Sequence, residues 1–296
     1  MTLLPDDQFL IYRDDLNHPT VSGNKLHKLK PQLEYANRNN YGTILSFGGP
    51  YSNHLHALAF ACREAGLASI GGVRGEVLEK LTPTLQDCQN WGMKLVEVPR
   101  KHYRQYQNLL TEEPDAALDI NRYFPDLITH LDKPKTTLLI PEGGSNSQAI
   151  DSLAKAYTPI FKSDRYSGVS HVVCATGTGA TIAGLCLAAP KQVKVVGVQA
   201  VAEGDATLKR IQHWLGFSPT QLSIIEGHFG GFAKNPPELK RFMHEFEQQR
   251  GIPVDPIYNA KVVYQIAKMY ANGHFTEKDK VLIINTGGLQ GKRGFS

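Results

Sequence analysis

Residues 171–181 read His171-Val172-Val173-Cys174-Ala175-Thr176-Gly177-Thr178-Gly179-Ala180-Thr181. The apolar run Val172 to Ala175 carries no polar alternation, the pattern of a strand buried on both faces of a parallel sheet. Gly177 and Gly179 then turn the chain, and Ile182 to Ala189 continues in small apolar residues as a helix. Strand, glycine-rich turn and helix form one unit, and the unit recurs.

Thr43-Ile44-Leu45-Ser46-Phe47 runs into Gly48-Gly49, and Ser52 to Ala65 follows with Leu55, Leu58, Ala59 and Cys62 at helical spacing. Ala68 to Val73 and Lys94 to Val98 read as strands, followed by helices near 82–91 and 101–111. Leu138-Leu139-Ile140-Pro141 leads through Glu142-Gly143-Gly144-Ser145-Asn146 into a helix ending near 162. Val193 to Gln199 is a strand, Pro237 to Arg250 and Asn259 to Ala271 are helices, and Val281 to Ile284 is a strand ending in Asn285-Thr286-Gly287-Gly288. The chain is therefore α/β. The stretch from about 112 to 136, rich in Pro, Asp, Lys and Thr, reads as a crossing between two units. In open α/β sheets ligands gather at the carboxyl ends of strands, where these glycine turns lie.

Composition narrows the function. With 296 residues, 41% hydrophobic and 20% charged, the chain can fill one large core or two smaller ones. A net charge of +4 gives no warrant for nucleic-acid binding. Cys62, Cys88, Cys174 and Cys186 form neither a C-x-x-C pair nor a metal-ligand spacing, so buried thiols in a reducing cytosol are expected. Met1 is followed by no basic and apolar leader, and no apolar run approaches the ~20 residues that span a bilayer. A soluble, cytoplasmic protein with no metal site and no membrane partner is the expectation.

Four motifs carry candidate chemistry. Thr176 to Thr181 brings backbone amides, hydroxyls and a helix N-terminus together, the equipment of a phosphate site, although a plain tight turn would look the same. It is neither G-x-G-x-x-G nor a P-loop. Tyr51-Ser52-Asn53-His54 opens a helix, where Ser52 alone would be an N-cap; His54 and His56, two apart, face different sides and make no metal pair. In Ser22-Gly23-Asn24-Lys25-Leu26-His27-Lys28-Leu29-Lys30, helical patterning begins at Leu26, so Lys25 sits at a turn. It is either a surface charge or a lysine whose desolvation makes it a nucleophile. Lys28 and Lys30 fall on the helix, where a solvated face or a phosphate contact explains them. Tyr258, in Asp255-Pro256-Ile257-Tyr258, is either a half-buried aromatic or a proton-transfer group.

Taken together, G-N-K-x-x-K, G-G-x-x-S-N-H, T-G-T-G-x-T, D-P-x-Y and a terminal T-G-G, in that order from residue 22 to 288, resemble a family. They are similar to the pyridoxal-phosphate enzymes of the tryptophan-synthase-β fold (fold type II). Within these they resemble the 1-aminocyclopropane-1-carboxylate deaminases and D-cysteine desulfhydrases. The resemblance implies two open, mainly parallel twisted sheets with flanking helices and the cofactor in the cleft between domains. Residues 1–40 plus 138–296 would form the large cofactor-binding domain and 41–137 the small one, in a homodimer.

The resemblance also implies roles. Lys25 would bind the aldehyde of pyridoxal 5′-phosphate and later shuttle the α-proton. Asn53 would meet the cofactor's phenolic oxygen, Gly177, Thr178, Gly179, Ala180 and Thr181 its phosphate, and Thr286 its ring nitrogen. Ser52, Asn53 and His54 would hold the carboxylate of a small amino-acid substrate, with Ser52 assisting proton transfer and Tyr258 acting as acid, base or orienter. A neutral hydroxyl at Thr286 leaves the ring a weaker electron sink, which favours α,β-elimination to ammonia and a 2-oxo acid, as in a D-cysteine desulfhydrase. The chain departs from the pattern at Ser22 (glycine expected), His27 (arginine expected) and Phe232 (tyrosine expected). Phe232 weighs against cyclopropane-ring opening. Other readings are a non-catalytic pyridoxal-phosphate binder and a phosphosugar or nucleotide module in which Lys25 is idle.

Overall fold

Strand residues alternate between the two faces of a sheet, so a strand that is apolar throughout needs a covered core on each side. The computed structural model, which describes residues 4–112, 136–231 and 234–294, meets that demand with two parallel sheets. The described strands and α-helices run in the order β1 (Phe9–Tyr12), α1 (Asn24–Arg38), β2 (Thr43–Gly48), α2 (Asn53–Glu64), β3 (Ala68–Arg74), α3 (Pro83–Asn90), β4 (Met93–Val98) and α4 (Arg100–Glu112). There follow β5 (Thr137–Leu139), α5 (Ser147–Tyr157), β6 (His171–Thr176), α6 (Ala180–Ala188), β7 (Lys194–Gln199) and α7 (Ala206–Leu215). Last come β8 (Leu222–Glu226), α8 (Pro237–Arg250), α9 (Asn259–Ala271) and β9 (Val281–Ile284).

The first sheet has strand order β1-β9-β6-β7-β8 and the second β4-β3-β2-β5. Each pairing is parallel; Val172, for example, lies opposite Val195 on one side and Leu282 on the other. Strand β6 is buried along its whole length. Val172, Cys174, Val195 and Leu282 point into one core with Leu153 of α5 and Leu185 of α6. Val173, Val196 and Ile283 point into the other with Phe242 of α8 and Ile266 of α9. Each such aliphatic side chain contributes about 1.5–3 kcal/mol on leaving water. Helix α6 carries no polar face because it is buried, and a Cβ on Gly184 would stand 2.6 Å from that of Leu153.

The second sheet is covered on one face by Leu29 and Leu33 of α1, Leu55 and Leu58 of α2 and Leu85 of α3. On the other face Leu45, Phe47, Ile70 and Val96 meet Tyr103 and Tyr106 of α4. Strand β5 straddles the expected domain boundary at 137/138 and pairs with β2 over its whole length. The expected crossing segment lies almost wholly outside the described residues, as does Phe232. No helix among the described residues is long and apolar enough to cross a membrane, and the four cysteines are buried free thiols.

Candidate active site

The carboxyl ends of β2, β3, β6 and β9 open on one cleft. Lys25, Ser52, Asn53, His54, Gly177, Thr178, Gly179, Thr181, Tyr258 and Thr286 all line it. Ala180 does not: it opens α6 and its methyl group is buried in the core.

Lys25 lies in the first turn of α1, which begins at Asn24, two residues before the expected start. The reason is Gly23. Its φ of +66° suits glycine, and a Cβ there would fall 1.9 Å from the Thr286 carbonyl oxygen. The chain enters the helix pressed against the end of β9, with the Asn24 amide donating to the Thr286 carbonyl at 3.4 Å. Asn17 clasps Gly23 from the other side, accepting from its N–H at 2.9 Å and donating to its C=O at 3.1 Å. Lys25 Nζ donates to Asn24 Oδ1 at 2.9 Å. Desolvation lowers its pKa to about 8, against the opposing pull of Asp255 and Asp14.

Lys28 is not the helix-face charge the sequence suggested. One helical turn from Lys25, it is buried, donating to the Gly143 carbonyl and to Ser145 Oγ, each at 3.2 Å. Burial, and next the charge of Lys25, push its pKa well below the usual lysine value. Lys30 is exposed, as expected. The missed signal was the i, i+3 spacing, which puts Lys28 on the face of Lys25. His27 bonds Asp14, Nε2 to Oδ1 at 2.8 Å, and Tyr157 donates to the other oxygen of that buried carboxylate.

The glycine loop between β6 and α6 is held from three sides. Gly179, at φ +100°, caps α6, and a Cβ there would crowd Ile211 at 3.1 Å and Thr207 at 3.3 Å. Thr178 Oγ1 shares a 2.6 Å hydrogen bond with Ser145 Oγ. The Thr178 carbonyl accepts from Arg210 Nε at 3.1 Å, and Arg210 is ion-paired with Glu203. Thr181 Oγ1 accepts from Asn24 Nδ2 at 2.9 Å.

Ser52 caps α2 by accepting from the Leu55 amide at 3.2 Å. Asn53 Oδ1 accepts from Gln290 Nε2 at 2.5 Å. The His54 ring turns inward. Ser46 Oγ donates its one hydrogen to the Ile140 carbonyl at 2.7 Å, so at its 2.7 Å contact with His54 Nε2 it must accept. His54 Nε2 therefore carries the proton, and burial keeps the ring neutral by driving its pKa well down. Nδ1 is left a bare, buried acceptor. An acceptor repels a carboxylate, so the part of His54 suited to that expected role is its backbone amide. His56 goes elsewhere, bonding Asp87 at 3.1 Å.

Asp255 is fully buried and accepts from the amides of Ile257, Tyr258 and Asn259 and from Asn259 Nδ2. Asn259 Oδ1 then accepts from the Thr286 amide at 3.0 Å and from Thr286 Oγ1 at 3.3 Å. This chain ties the start of α9 to the end of β9. Burial first, then the charges of Asp255, Glu142 and Glu203, raise the Tyr258 pKa, so its phenol stays protonated.

The half-buried Lys25 and the buried Lys28 line the cleft with the glycine loop, and neither has a carboxylate within ion-pair distance among the described residues. That donor set suits a phosphate bearing an aldehyde that a lysine can capture. Known proteins agree. The family model described as pyridoxal-phosphate dependent enzyme matches residues 3–287, and the chain belongs to that family. A Thermotoga maritima protein provisionally named a 1-aminocyclopropane-1-carboxylate deaminase is 31% identical over 96% of this chain and 90% of its own. The Arabidopsis thaliana bifunctional D-cysteine desulfhydrase/1-aminocyclopropane-1-carboxylate deaminase, mitochondrial, is 28% identical over 95% of this chain and 72% of its own. The crystal structure of an ACC deaminase homologue superposes with a TM-score of 0.78 at 23% identity, covering 96% of this chain and 85% of that one. The expected α/β architecture, with its two parallel sheets, is the fold of such enzymes.

Proposed function

We propose that the enzyme catalyses α,β-elimination on a small amino acid with a leaving group at Cβ, releasing ammonia and a 2-oxo acid in the manner of a D-cysteine desulfhydrase. The observation that carries this reading is Thr286. At the end of β9 it offers a neutral hydroxyl whose partner is the Asn259 amide oxygen, not a carboxylate. Pyridoxal phosphate would supply the acidification of the substrate's Cα–H; the Thr286 hydroxyl, turning its one hydrogen from Asn259 Oδ1 to the ring nitrogen, would leave that nitrogen unprotonated, which suits early departure of the Cβ group.

The chain's own groups divide the remaining work. Gly177, Thr178, Gly179 and Thr181 would hold the phosphate with the help of Lys28, whose ammonium form the negative charge would restore. Asn53 would meet the phenolic oxygen. The amides of Asn53 and His54, with the Ser52 hydroxyl, take the substrate carboxylate at the N-terminus of α2. Lys25, as a neutral amine, would accept the α-proton. Tyr258, kept protonated, orients the leaving group or gives it a proton. A homodimer in the cytosol goes with this reading and is checked by sedimentation. Ring opening of the cyclopropane amino acid is the second reading, favoured by the relatives' names and disfavoured by Phe232.

Purified protein should be yellow, and borohydride reduction followed by peptide mass analysis should place the pyridoxyl group on Lys25. Oxo-acid release should then follow from D-cysteine or another β-substituted alanine. Turnover of the cyclopropane substrate with none of the β-substituted alanines would overturn the elimination reading.

A further inference from the structure

One cation in the cleft wall has no task in this chemistry. Arg74 ends β3, beside the carboxyl end of β2, and lines the same cleft as Lys25 and Ser52. Its guanidinium leans over the turn that leads to Ser52, with Nη2 3.7 Å from where a Cβ on Gly49 would stand. It rests against the Tyr103 ring, Cζ 5.6 Å from the centroid. Among the described residues it makes no hydrogen bond and no ion pair.

The two acids of the cleft wall are engaged elsewhere. Glu203 pairs with Arg210. Glu142 accepts from Gln107 Nε2 at 3.3 Å; burial raises its pKa, and the charge of Arg74 opposes that rise without an ion-pair contact between them. A half-buried guanidinium without a hydrogen-bond partner recovers little of its desolvation cost. Its planar fork fits a carboxylate or a similar oxyanion in two-point contact.

The cofactor phosphate already has the glycine loop and Lys28, and the α-carboxylate has the N-terminus of α2. We infer that Arg74 reads a second acidic group on the substrate, so that the preferred amino acid carries a negative charge on its Cβ substituent. This rests on the elimination reading above. In that reaction the Cα–H and Cβ–X bonds break and the bonding pair leaves on X. The resulting enamine takes up water, giving a 2-oxo acid, ammonium and HX with no net oxidation.

The test uses holoenzyme and two substrates that differ in that charge, β-chloroalanine and serine O-sulfate, each as both enantiomers. Wild type should show a KM for serine O-sulfate lower by about tenfold or more than for β-chloroalanine. R74M should lose that preference through KM of the sulfate ester, leaving β-chloroalanine turnover within about twofold and the cofactor absorption unchanged. R74K, which keeps the charge, should recover part of the preference and serves alone if R74M does not fold. Equal losses on both substrates would mean that Arg74 holds the α-carboxylate or only supports Tyr103, and would overturn the proposal, as would a wild type without preference. If yellow enzyme eliminates neither substrate, the elimination reading fails by itself. Displacement of the cofactor absorption by aspartate against alanine then decides Arg74: a preference for aspartate lost in R74M supports it, and equal affinity refutes it.

Discussion

Asn24 and Thr181 are joined across the floor of the cleft, Nδ2 to Oγ1 at 2.9 Å, although 157 residues separate them in the chain. The residue beside Lys25 is thereby tied to the end of the glycine loop, and Asn24 Oδ1 also accepts from Lys25 Nζ at 2.9 Å. Asn24→Ala removes both bonds and leaves Thr181 with a buried hydroxyl. The expected result is cofactor binding weaker by about tenfold, with a stability loss of about 1–3 kcal/mol. Titration with pyridoxal phosphate and thermal unfolding of the same variant check it. Unchanged affinity would show that the tie serves the fold alone.

The state of Lys25 predicts a pH dependence. A pKa of about 8 in place of 10.5 leaves roughly a tenth of the amine neutral at pH 7, about 300-fold more than an ordinary lysine. Only the neutral amine attacks an aldehyde. The rate of cofactor capture by apoenzyme should therefore climb tenfold per pH unit below about 8 and level off above it. Stopped-flow absorption across pH 6–10 gives the profile. A rate still climbing tenfold per unit beyond pH 9 would mean an ordinary lysine.

Much of this is legible in the residues alone. Unalternated runs such as Val172 to Ala175 required cover on both faces, and that requirement alone implies parallel strands between helices. The weak elements escaped for physical reasons. Strand β1 is four residues between polar segments, and β8 is a five-residue edge strand that is at most half-buried. At the site, Lys25, Lys28, Ser52, Tyr258 and Thr286 stand in motifs, whereas Arg74 and Arg210 do not. A lone basic residue looks like surface until the fold reveals what surrounds it. The His54 tautomer was also beyond reach, because it depends on a carbonyl of Ile140 that lies 94 residues from Ser46.

Lys28 and Lys30 make a paired test, since they differ by two residues in sequence and completely in burial. Lys28→Met keeps the side-chain volume but removes a buried ammonium from beside the glycine loop. Affinity for pyridoxal phosphate should fall by about tenfold to a hundredfold, the range for a charge-assisted contact, while pyridoxal lacking the phosphate should bind as before. Lys30→Met should leave both affinities unchanged. Equal effects on the phosphorylated and unphosphorylated aldehydes would place Lys28 outside the phosphate site.

Tyr258 separates packing from proton transfer. Its ring lies over the glycine loop, with Cε1 3.5 Å from where a Cβ on Gly177 would stand, and phenylalanine preserves that contact. Its phenol is held protonated by burial and by neighbouring carboxylates, so it can donate a proton near neutral pH but cannot serve as a phenolate base. Tyr258→Phe should keep the cofactor and its absorption while losing about a hundredfold in kcat for elimination. The loss should be smallest for substrates whose leaving group needs no proton, such as β-chloroalanine, and largest for those that depart as a thiol or alcohol. Equal loss on both kinds of substrate would make Tyr258 an orienting residue. Full activity on both would remove it from the mechanism.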